Sequence, residues 1–334
     1  MRAVQVESAG GSFDCVDRER PAPGDGEVRL EVEACGVCHS DSYVKEGNWD
    51  GITYPRIPGH EIVGRVDAVG SDVETWEPGT RAGVGWHGSH CFTCDPCRRG
   101  RFINCRHEQI TGIDRDGGYA EYVVASAEAL ARVPEELDST AAAPLLCAGV
   151  STYRSLQLAD TRDGDVVGIQ GIGGLGHLGI QFASAAGFET VAISRGTEKR
   201  ELAHALGADH YVDARSRDPG DELANLGGAS VVLATAPNSR AIQSVVSGLG
   251  VGGELITLGV PDESVDVDVL ELIDNQRSIT GWSSGTAADS EDALAFSALH
   301  DVAPKVERYP LEEADVAYDR MKSGDARFRV VLEP

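Results

Sequence analysis

Hydrophobic and polar residues alternate in several short stretches along the N-terminal third of the chain. VRLEVEAC, EIVGRVDAVG and AEYVVAS have apolar residues at nearly every second position, and Gly or Pro interrupts the chain about every eight to twelve residues. Alternation broken by turn residues is typical of short strands with one buried face. The pattern therefore predicts an irregular β-rich domain.

The pattern changes near residue 150. Strand-like runs there alternate with stretches of helical spacing, in the order VVGIQ, GGLGHLGIQFASAAG, ETVAIS, EKRELAHALGA, HYVD and SVVLAT. This succession predicts a parallel sheet of an α/β domain. Further along, AIQSVVSGLGVGG is expected to form a helix and ELITLGV a strand. Near the C-terminus, two amphipathic helices (SEDALAFSALH and EEADVAYDRMKSG) precede a closing strand, RFRVVLEP.

Length and charge narrow the function classes. A chain of 334 residues exceeds what a single hydrophobic core usually serves, so we expect two domains. Acidic residues outnumber basic ones 54 to 29, and the formal net charge of −25 disfavours nucleic acid and anionic membranes as partners. The charge predicts adaptation to high salt, where a Debye length of about 3 Å at 1 M screens carboxylate repulsion. A mildly acidic cytoplasmic protein is the alternative.

The expected compartment depends on the N-terminus and the cysteines. No apolar run approaches about 18 residues, and the N-terminal MRAVQVESAGG has neither a basic n-region nor an apolar h-region. Several of the eight cysteines cluster at metal-ligand spacing, which favours reduced thiolates over disulfides. We therefore expect a cytoplasmic protein.

A glycine-rich turn follows the predicted strand VVGIQ and opens a predicted helix. Its GxGxxG pattern consists of Gly171, Gly173 and Gly176, with Gly174 as an additional glycine. Glycines in this context let the backbone approach a pyrophosphate, and the helix N-terminus supplies amide groups and a positive dipole. The turn predicts a dinucleotide-binding site.

The next strand ends in Ser194 and Arg195, where an NAD-binding site usually has Asp or Glu. A hydroxyl followed by a guanidinium suits a 2′-phosphate, because Arg binds phosphate through bidentate, charge-assisted hydrogen bonds. We therefore favour NADP(H) over NAD(H), with Lys199 and Arg200 as additional cations. The alternative is that Arg195 is a solvated loop residue and that NAD(H) is used.

Four cysteines lie at spacing Cys-x2-Cys-x2-Cys-x7-Cys, namely Cys91, Cys94, Cys97 and Cys105. Four thiolates complete a tetrahedral zinc site and leave no position for substrate, so the spacing predicts a structural zinc. A bacterial ferredoxin run continues with a shorter gap and a proline, which this chain lacks. Free buried cysteines and a nucleic-acid finger are weaker alternatives, since the charge opposes DNA.

A second set of metal-ligating residues is dispersed: Cys38 in GVCHSD, His60 and Glu61 in PGHE, and Cys147 in PLLCAG. One imidazole and two thiolates give zinc three protein ligands and leave a fourth position for water or substrate. Residues this far apart cannot be paired from spacing alone. A lone cysteine among apolar residues, as at Cys147, is often inert packing.

These motifs, in this order and separation, resemble the zinc-dependent alcohol dehydrogenases of the medium-chain dehydrogenase/reductase family. The matching stretches are CGVCHSD, YPRIPGHEIVGRVDAVG, the four-cysteine segment, APLLCAGVSTY and GIGGLGHLGIQFA. The resemblance implies an α/β protein with a Rossmann domain, a doubly wound parallel sheet, at residues 150–287. It also implies a β-rich GroES-like catalytic domain formed by residues 1–149 with 288–334, and two zinc ions per subunit, one catalytic and one structural.

The resemblance also implies roles for residues around the catalytic metal. Cys38, His60 and Cys147 correspond to the ligands of the catalytic zinc. Asp41 corresponds to a carboxylate that orients the zinc-bound histidine. Ser40 corresponds to the hydroxyl that accepts the substrate proton. Glu61 corresponds to a glutamate that can approach the metal transiently.

Further positions correspond to cofactor and substrate contacts. His39 and Arg329 match residues that bind the cofactor pyrophosphate. Ser151 and Leu175 match positions beside the nicotinamide. Trp49 and Trp86 resemble aromatic residues of the substrate pocket. Core packing is the alternative for these last four residues.

The function implied by the resemblance is hydride transfer between a primary alcohol or aldehyde and a nicotinamide cofactor. A homo-oligomer is expected, a tetramer in preference to a dimer. A polyol or sugar dehydrogenase of the same family and a catalytically silent cofactor-binding protein are the alternatives. One departure affects the proton relay, because many relatives have His where this chain has Tyr43. The outer half of the relay is therefore expected to run through the cofactor ribose and water.

Overall fold

The computed structural model describes residues 1–334 and divides them into two compact units. The first unit consists of Met1–Val150 and Ser284–Pro334, and the second of Ser151–Ser283. The predicted first boundary at residue 149 differs from this division by one residue, and the predicted second boundary at residue 287 differs from residue 283 by four.

Strands outnumber helices along the chain. The strands are β1(Arg2–Val6), β2(Phe13–Asp17), β3(Glu27–Val37), β4(Ile62–Val69), β5(Arg81–Val84), β6(His87–Ser89), β7(Gln109–Ile110), β8(Tyr122–Ser126), β9(Leu130–Arg132), β10(Val166–Gln170), β11(Glu189–Ser194), β12(His210–Asp213), β13(Ala229–Ala234), β14(Leu249–Thr257), β15(Ser278–Gly281), β16(Val306–Pro310) and β17(Arg329–Glu333). The α-helices are α1(Ser42–Glu46), α2(Asp95–Arg98), α3(Ser139–Ala142), α4(Ala148–Leu158), α5(Gly176–Ala185), α6(Arg200–Ala205), α7(Pro219–Asn225), α8(Ser239–Gln243), α9(Val269–Asn275), α10(Ala287–His300) and α11(Ala314–Lys322).

A seven-stranded sheet forms the centre of the first unit. Its order is β16-β17-β3-β4-β5-β9, and β8 also pairs with β3. The alternating pattern of β3 is explained by its position, since Val28, Leu30 and Val32 are buried on one face. The antiparallel pairing of β3 with β4 brings the end of β3 next to the start of β4, with Cys35 opposite Ile62. This arrangement positions the metal-ligating residues described below.

The second unit contains a six-stranded sheet of order β12-β11-β10-β13-β14-β15, in which every pairing is parallel. Strand β10, with the sequence VVGIQ, lies in the middle of this sheet and is buried at all five positions, as expected for a strand covered on both faces. Reading from β10, strands are added first on one side and then on the other, which is the doubly wound topology. The predicted α/β fold class is confirmed.

One predicted helix is wrong in its extent. AIQSVVSGLGVGG was expected to be helical to residue 253, but α8 ends at Gln243 and β14 already begins at Leu249. Main-chain pairing with β13, which places Leu249 opposite Ala229, replaces helix there. Glycines disfavour helix, so the four glycines between residues 248 and 253 offer little resistance to this extended pairing.

None of the helices combines the length and the apolar character needed to cross a bilayer.

Candidate functional site

The dispersed metal-ligating residues meet in the first unit. Cys38 directly follows β3, while His60 and Glu61 directly precede β4. Cys147 follows the 3-10 turn Ala143–Leu146. One potential ligand atom from each of the four residues lies within 4.8 Å of the others. The fold therefore pairs residues that sequence spacing could not.

The geometry of this cluster fits zinc. The Cys38 and Cys147 sulfurs are 3.9 Å apart. Two thiolates on one tetrahedral zinc, with Zn–S bonds of about 2.3 Å, would be separated by about 3.8 Å. The His60 ring is buried, its Nδ1 lies 3.2 Å from Asp41 Oδ1, and its Nε2 has no hydrogen-bond partner. That nitrogen is the one left for a metal.

The electrostatics favour a thiolate at Cys38. A hydrogen bond from the Cys147 thiol holds the pKa of Cys38 well below its ordinary value, and the nearby His60 and Arg329 act in the same direction. Burial opposes this shift, but it does not outweigh the hydrogen bond and the positive charges. Cys38 is therefore ready to serve as an anionic metal ligand.

Glu61 contacts a buried arginine beside the cluster. Its Oε1 accepts a hydrogen bond from Arg329 Nη2, whereas its Oε2 is buried without a hydrogen-bond partner. Burial raises the pKa of Glu61 to about 7, with Arg329 opposing the shift. The carboxylate is accommodated because residue 36 is glycine: a Cβ there would lie 1.9 Å from Glu61 Oε2.

Asp41 connects the His60 ring to the turn that carries the predicted proton acceptor. Its Oδ2 accepts hydrogen bonds from the Cys38 main-chain nitrogen at 2.8 Å and from the Tyr119 hydroxyl at 3.0 Å. Ser40 and His39 belong to the same 3-10 turn, His39–Asp41, where Ser40 is half-buried and His39 is exposed. Tyr119 was not identified from the sequence, because it lies in a bend just before the predicted strand AEYVVAS and belongs to no motif.

An aromatic wall extends from the metal cluster. The Trp86 ring meets the His60 ring edge to face, with 5.0 Å between their centroids. Trp49 lies 5.9 Å from Trp86, and Tyr43 lies 5.3 Å from Trp49. The two predicted pocket tryptophans are therefore adjacent, and Tyr43 extends the same wall.

The four-cysteine segment forms a separate cluster in the first unit. The sulfurs of Cys91, Cys94, Cys97 and Cys105 lie within 4.8 Å of one another. The Cys105 sulfur is 3.5 Å from that of Cys91 and 3.8 Å from that of Cys94, distances that suit a shared tetrahedral zinc. Hydrogen bonds from Thr93 lower the pKa of Cys91 to about 5, which favours the thiolate form. All four positions of a zinc would be filled by protein.

The glycine turn lies in the second unit, between β10 and α5. Gly171 has a φ of 95°, and a Cβ on Gly176 would lie 1.8 Å from the Gly171 carbonyl oxygen. Gly173 has open space around it, Gly174 is half-buried, and Leu175 is the N-cap of α5. Both the strand-to-helix context and the close backbone approach suit a dinucleotide-binding turn. Ser151 is buried in α4.

Several cations surround the end of β11. Arg195 is exposed, and the Lys199 ammonium donates a hydrogen bond to the Ile172 carbonyl in the glycine turn at 2.6 Å. The Arg200 guanidinium lies 5.4 Å from the centre of the Tyr211 ring, whose hydroxyl donates to the Gly196 carbonyl.

Two carboxylates also lie near the end of β11. Asp213 accepts hydrogen bonds from the main-chain nitrogens of Gly196 and Arg215. Glu198 folds toward Gly196, and its carboxylate lies 3.9 Å from Arg215.

Two family models match the chain. The first, alcohol dehydrogenase GroES-like domain, matches residues 24–135. The second, zinc-binding dehydrogenase, matches residues 174–298. Together they cover the candidate catalytic ligands Cys38 and His60, the four-cysteine cluster and most of the second unit.

Known proteins resemble the chain over its whole length. An alcohol dehydrogenase, notN, of Aspergillus sp. (strain MF297-2) is 43% identical over 331 residues, which is 99% of this chain and 97% of that protein. A solved NAD-dependent alcohol dehydrogenase has a TM-score of 0.91 at 27% identity and full coverage of both chains. The solved CAD from Helicobacter pylori complexed with NADP(H) has a TM-score of 0.88 at 28% identity, covering 99% of this chain and 97% of that one.

Proposed function

The chain belongs to the zinc-dependent alcohol dehydrogenases of the medium-chain dehydrogenase/reductase family, and from this we propose that it interconverts primary alcohols and aldehydes at a zinc held by Cys38, His60 and Cys147. The observation that carries the proposal is the buried His60 Nε2, which has no hydrogen-bond partner and belongs to the cluster that contains the two cysteine sulfurs. A catalytically silent cofactor-binding protein would not need this arrangement.

The chemistry is divided between bound groups and the chain. Zinc at this site supplies a Lewis acid that lowers the pKa of an alcohol or polarises a carbonyl. The nicotinamide cofactor supplies hydride chemistry. The chain itself positions the substrate, excludes water and moves a proton.

We assign the first proton transfer to Ser40. Its hydroxyl lies two residues after Cys38, in the turn that ends at Asp41, so ligand and proton acceptor come from one rigid segment. Tyr43 follows in α1, where it contacts Trp49. Tyr43 stands where many relatives have a histidine. The outer half of the relay is therefore proposed to use the cofactor ribose and water.

The aromatic wall favours flat, apolar alcohols and aldehydes. Trp86 and Trp49 present ring surface next to His60, and rings pack well against such surfaces. A polyol would need polar partners that these side chains do not offer. The wall therefore supports primary alcohols and their aldehydes over the polyol and sugar substrates of the same family.

For the cofactor we propose NADP(H) in preference to NAD(H). Arg195, Lys199 and Arg215 cluster around the end of β11 in a chain with few basic residues. Asp213 already accepts two main-chain hydrogen bonds there. Glu198 is the opposing charge: its carboxylate lies beside Gly196, 3.9 Å from Arg215.

We propose a homo-oligomer, a tetramer in preference to a dimer. β15 is the last strand of the six-stranded sheet, so its outer edge is free to pair. Exposed apolar side chains lie on the preceding helix α9, namely Val269, Leu270 and Ile273. Light scattering after gel filtration measures the state directly.

Two further proposals concern the environment. The eight cysteines are all free, and thiolate ligands require reducing conditions such as those of the cytoplasm, where we place the protein. The net charge of −25 supports a protein adapted to high salt.

Initial rates test the proposed function. Reduction of benzaldehyde and of acetaldehyde is measured with NADPH and with NADH separately, in about 2 M KCl to shorten the Debye length, with and without a zinc chelator. We expect chelator-sensitive turnover that is faster with NADPH. Turnover with NADH alone would overturn the cofactor preference. An absence of turnover with both aldehydes and both cofactors would overturn the proposed aldehyde reduction.

A further inference from the structure

A buried tyrosine lies behind the candidate catalytic metal site. Tyr119 has no exposed surface, and its hydroxyl donates a hydrogen bond to Asp41 Oδ2 at 3.0 Å. The same oxygen accepts from the Cys38 main-chain nitrogen, while the other oxygen, Oδ1, faces His60 Nδ1. The carboxylate therefore connects Tyr119 to two of the three proposed ligands.

This carboxylate is itself buried, with 2% of Asp41 exposed. A buried carboxylate is costly unless its oxygens accept hydrogen bonds, and donors at one oxygen fix the direction of the other. The Cys38 nitrogen and the Tyr119 hydroxyl together hold Oδ2. Loss of either hydrogen bond leaves the Asp41 carboxylate freer to rotate, so that its Oδ1 is less well directed at His60.

We propose that Tyr119 is a positioning residue for the catalytic zinc: its hydroxyl fixes the Asp41 carboxylate, which orients the His60 ring so that Nε2 faces the metal. This inference rests on the proposed function, because it assigns Nε2 to a metal. Groups that orient ligating histidines typically change metal affinity or activity by about 10–100-fold when they are removed.

Tyr119 is held firmly enough for this task. Its main-chain nitrogen donates to the Pro58 carbonyl, and its own carbonyl accepts from the Val4 nitrogen. Its ring lies against Gly59, the residue before His60, so closely that a Cβ on Gly59 would lie 2.5 Å from Tyr119 Cδ1. Tyr119 therefore contacts the segment that carries His60 as well as the carboxylate that orients it.

The test is Tyr119→Phe, which removes one oxygen and keeps the ring. Tyr318→Phe is the matched control, because Tyr318 belongs to the same core, packs against Phe13 as Tyr119 does, and donates its hydroxyl to the carboxylate of Glu46. Both variants are purified with zinc, and zinc release to a coloured chelator is followed in time. The four-thiolate site supplies an internal reference in every sample.

We expect Tyr119→Phe to release one of its two zinc ions about tenfold faster than the unmodified enzyme, with release of the other unchanged. The turnover number kcat should fall while KM for the cofactor stays the same. Tyr318→Phe should behave as the unmodified enzyme does. Equal zinc release and equal kcat in all three proteins would show that the Tyr119 hydroxyl only satisfies a buried carboxylate.

Asp41→Ala provides an independent comparison. If Tyr119 acts through Asp41, adding Tyr119→Phe to Asp41→Ala changes neither zinc release nor kcat further. An additional loss in the double variant would overturn the inference, and this comparison does not require the Tyr119 single variant to be stable. If the unmodified enzyme holds only one zinc, the proposed function fails instead, so the two failures are distinguishable.

Discussion

Arg329 and Glu61 form an ion pair in the interior of the first unit, although 268 residues separate them in sequence. Arg329 begins the last strand, β17, and Glu61 directly follows the candidate ligand His60. The side chain of Arg329 is 8% exposed and that of Glu61 is not exposed at all. Because both side chains are almost completely removed from water, each group stabilises the charge of the other.

Arg329→Met should therefore destabilise the protein strongly. It leaves the Glu61 carboxylate buried without its cation, a change that typically costs about 3–5 kcal/mol of unfolding free energy. The double variant Arg329→Met with Glu61→Gln should recover most of that loss, because no charge remains unpaired. Urea unfolding measures both, and a single variant as stable as the unmodified protein would contradict the ion-pair account.

Arg195→Ala should lower kcat/KM with NADPH and leave kcat/KM with NADH unchanged. Loss of a charge-assisted hydrogen bond costs about 1.5–3 kcal/mol, which corresponds to about tenfold to hundredfold. Steady-state rates measured with each cofactor give the ratio of kcat/KM for NADPH to kcat/KM for NADH.

Two variants serve as controls for this prediction. Arg217→Ala removes a nearby exposed arginine that pairs with Glu222, and it should change neither value. Glu198→Gln should act in the opposite direction and favour NADPH. A parallel loss with NADPH and NADH in Arg195→Ala would refute the proposed 2′-phosphate contact.

The two zinc sites should respond differently to loss of one cysteine. Cys38→Ser should abolish turnover in a protein that still folds and holds one zinc per subunit. Cys94→Ser should impair folding or assembly, because a structural zinc contributes directly to folding free energy. Metal analysis, circular dichroism and rate measurements separate these results. A stable and fully active Cys94→Ser enzyme would disprove the structural role.

Stability should rise with salt. Repulsion among 54 acidic residues is screened as the Debye length falls from about 10 Å at 0.1 M to about 3 Å at 1 M. For domains of this size, each 1 kcal/mol gained raises Tm by about 2–4 °C. Melting curves in increasing KCl check this, and a Tm independent of KCl would exclude salt adaptation.

Trp49→Ala should weaken the binding of aromatic substrates selectively. Contacts between aromatic rings contribute about 0.5–1.5 kcal/mol beyond the area they bury, so KM for benzaldehyde should rise by up to about tenfold. Acetaldehyde is the matched control, because it has no ring and its KM should change little. Equal increases for both aldehydes would mean that Trp49 supports the site without contacting the substrate ring.

Features encoded over short distances could be predicted from the sequence. The glycine turn at Gly171 and Gly176, with its strand and helix, is specified within about twenty residues. The four-cysteine cluster is likewise local. The extent of the helix after residue 241 was not predictable in this way, because pairing of Leu249 with the distant strand β13 decides it.

The long-range contacts of the catalytic site could be identified only in the structure. Cys38 and Cys147 are 109 residues apart, and only the resemblance to a family connected them in advance. The contact of Tyr119 with Asp41 spans 78 residues and has no sequence motif of its own. Side chains buried behind a metal site resemble ordinary core residues until their hydrogen bonds are seen.

The most direct test of this account is restoration of activity by zinc. The enzyme is treated with a chelator until benzaldehyde reduction stops, and zinc is then returned in measured steps, with Cys38→Ser treated identically. We predict that the rate returns in proportion to zinc bound at one site per subunit and that Cys38→Ser stays inactive at every step. Undiminished turnover in zinc-free enzyme, or equal restoration in Cys38→Ser, would contradict catalysis at the Cys38, His60 and Cys147 cluster.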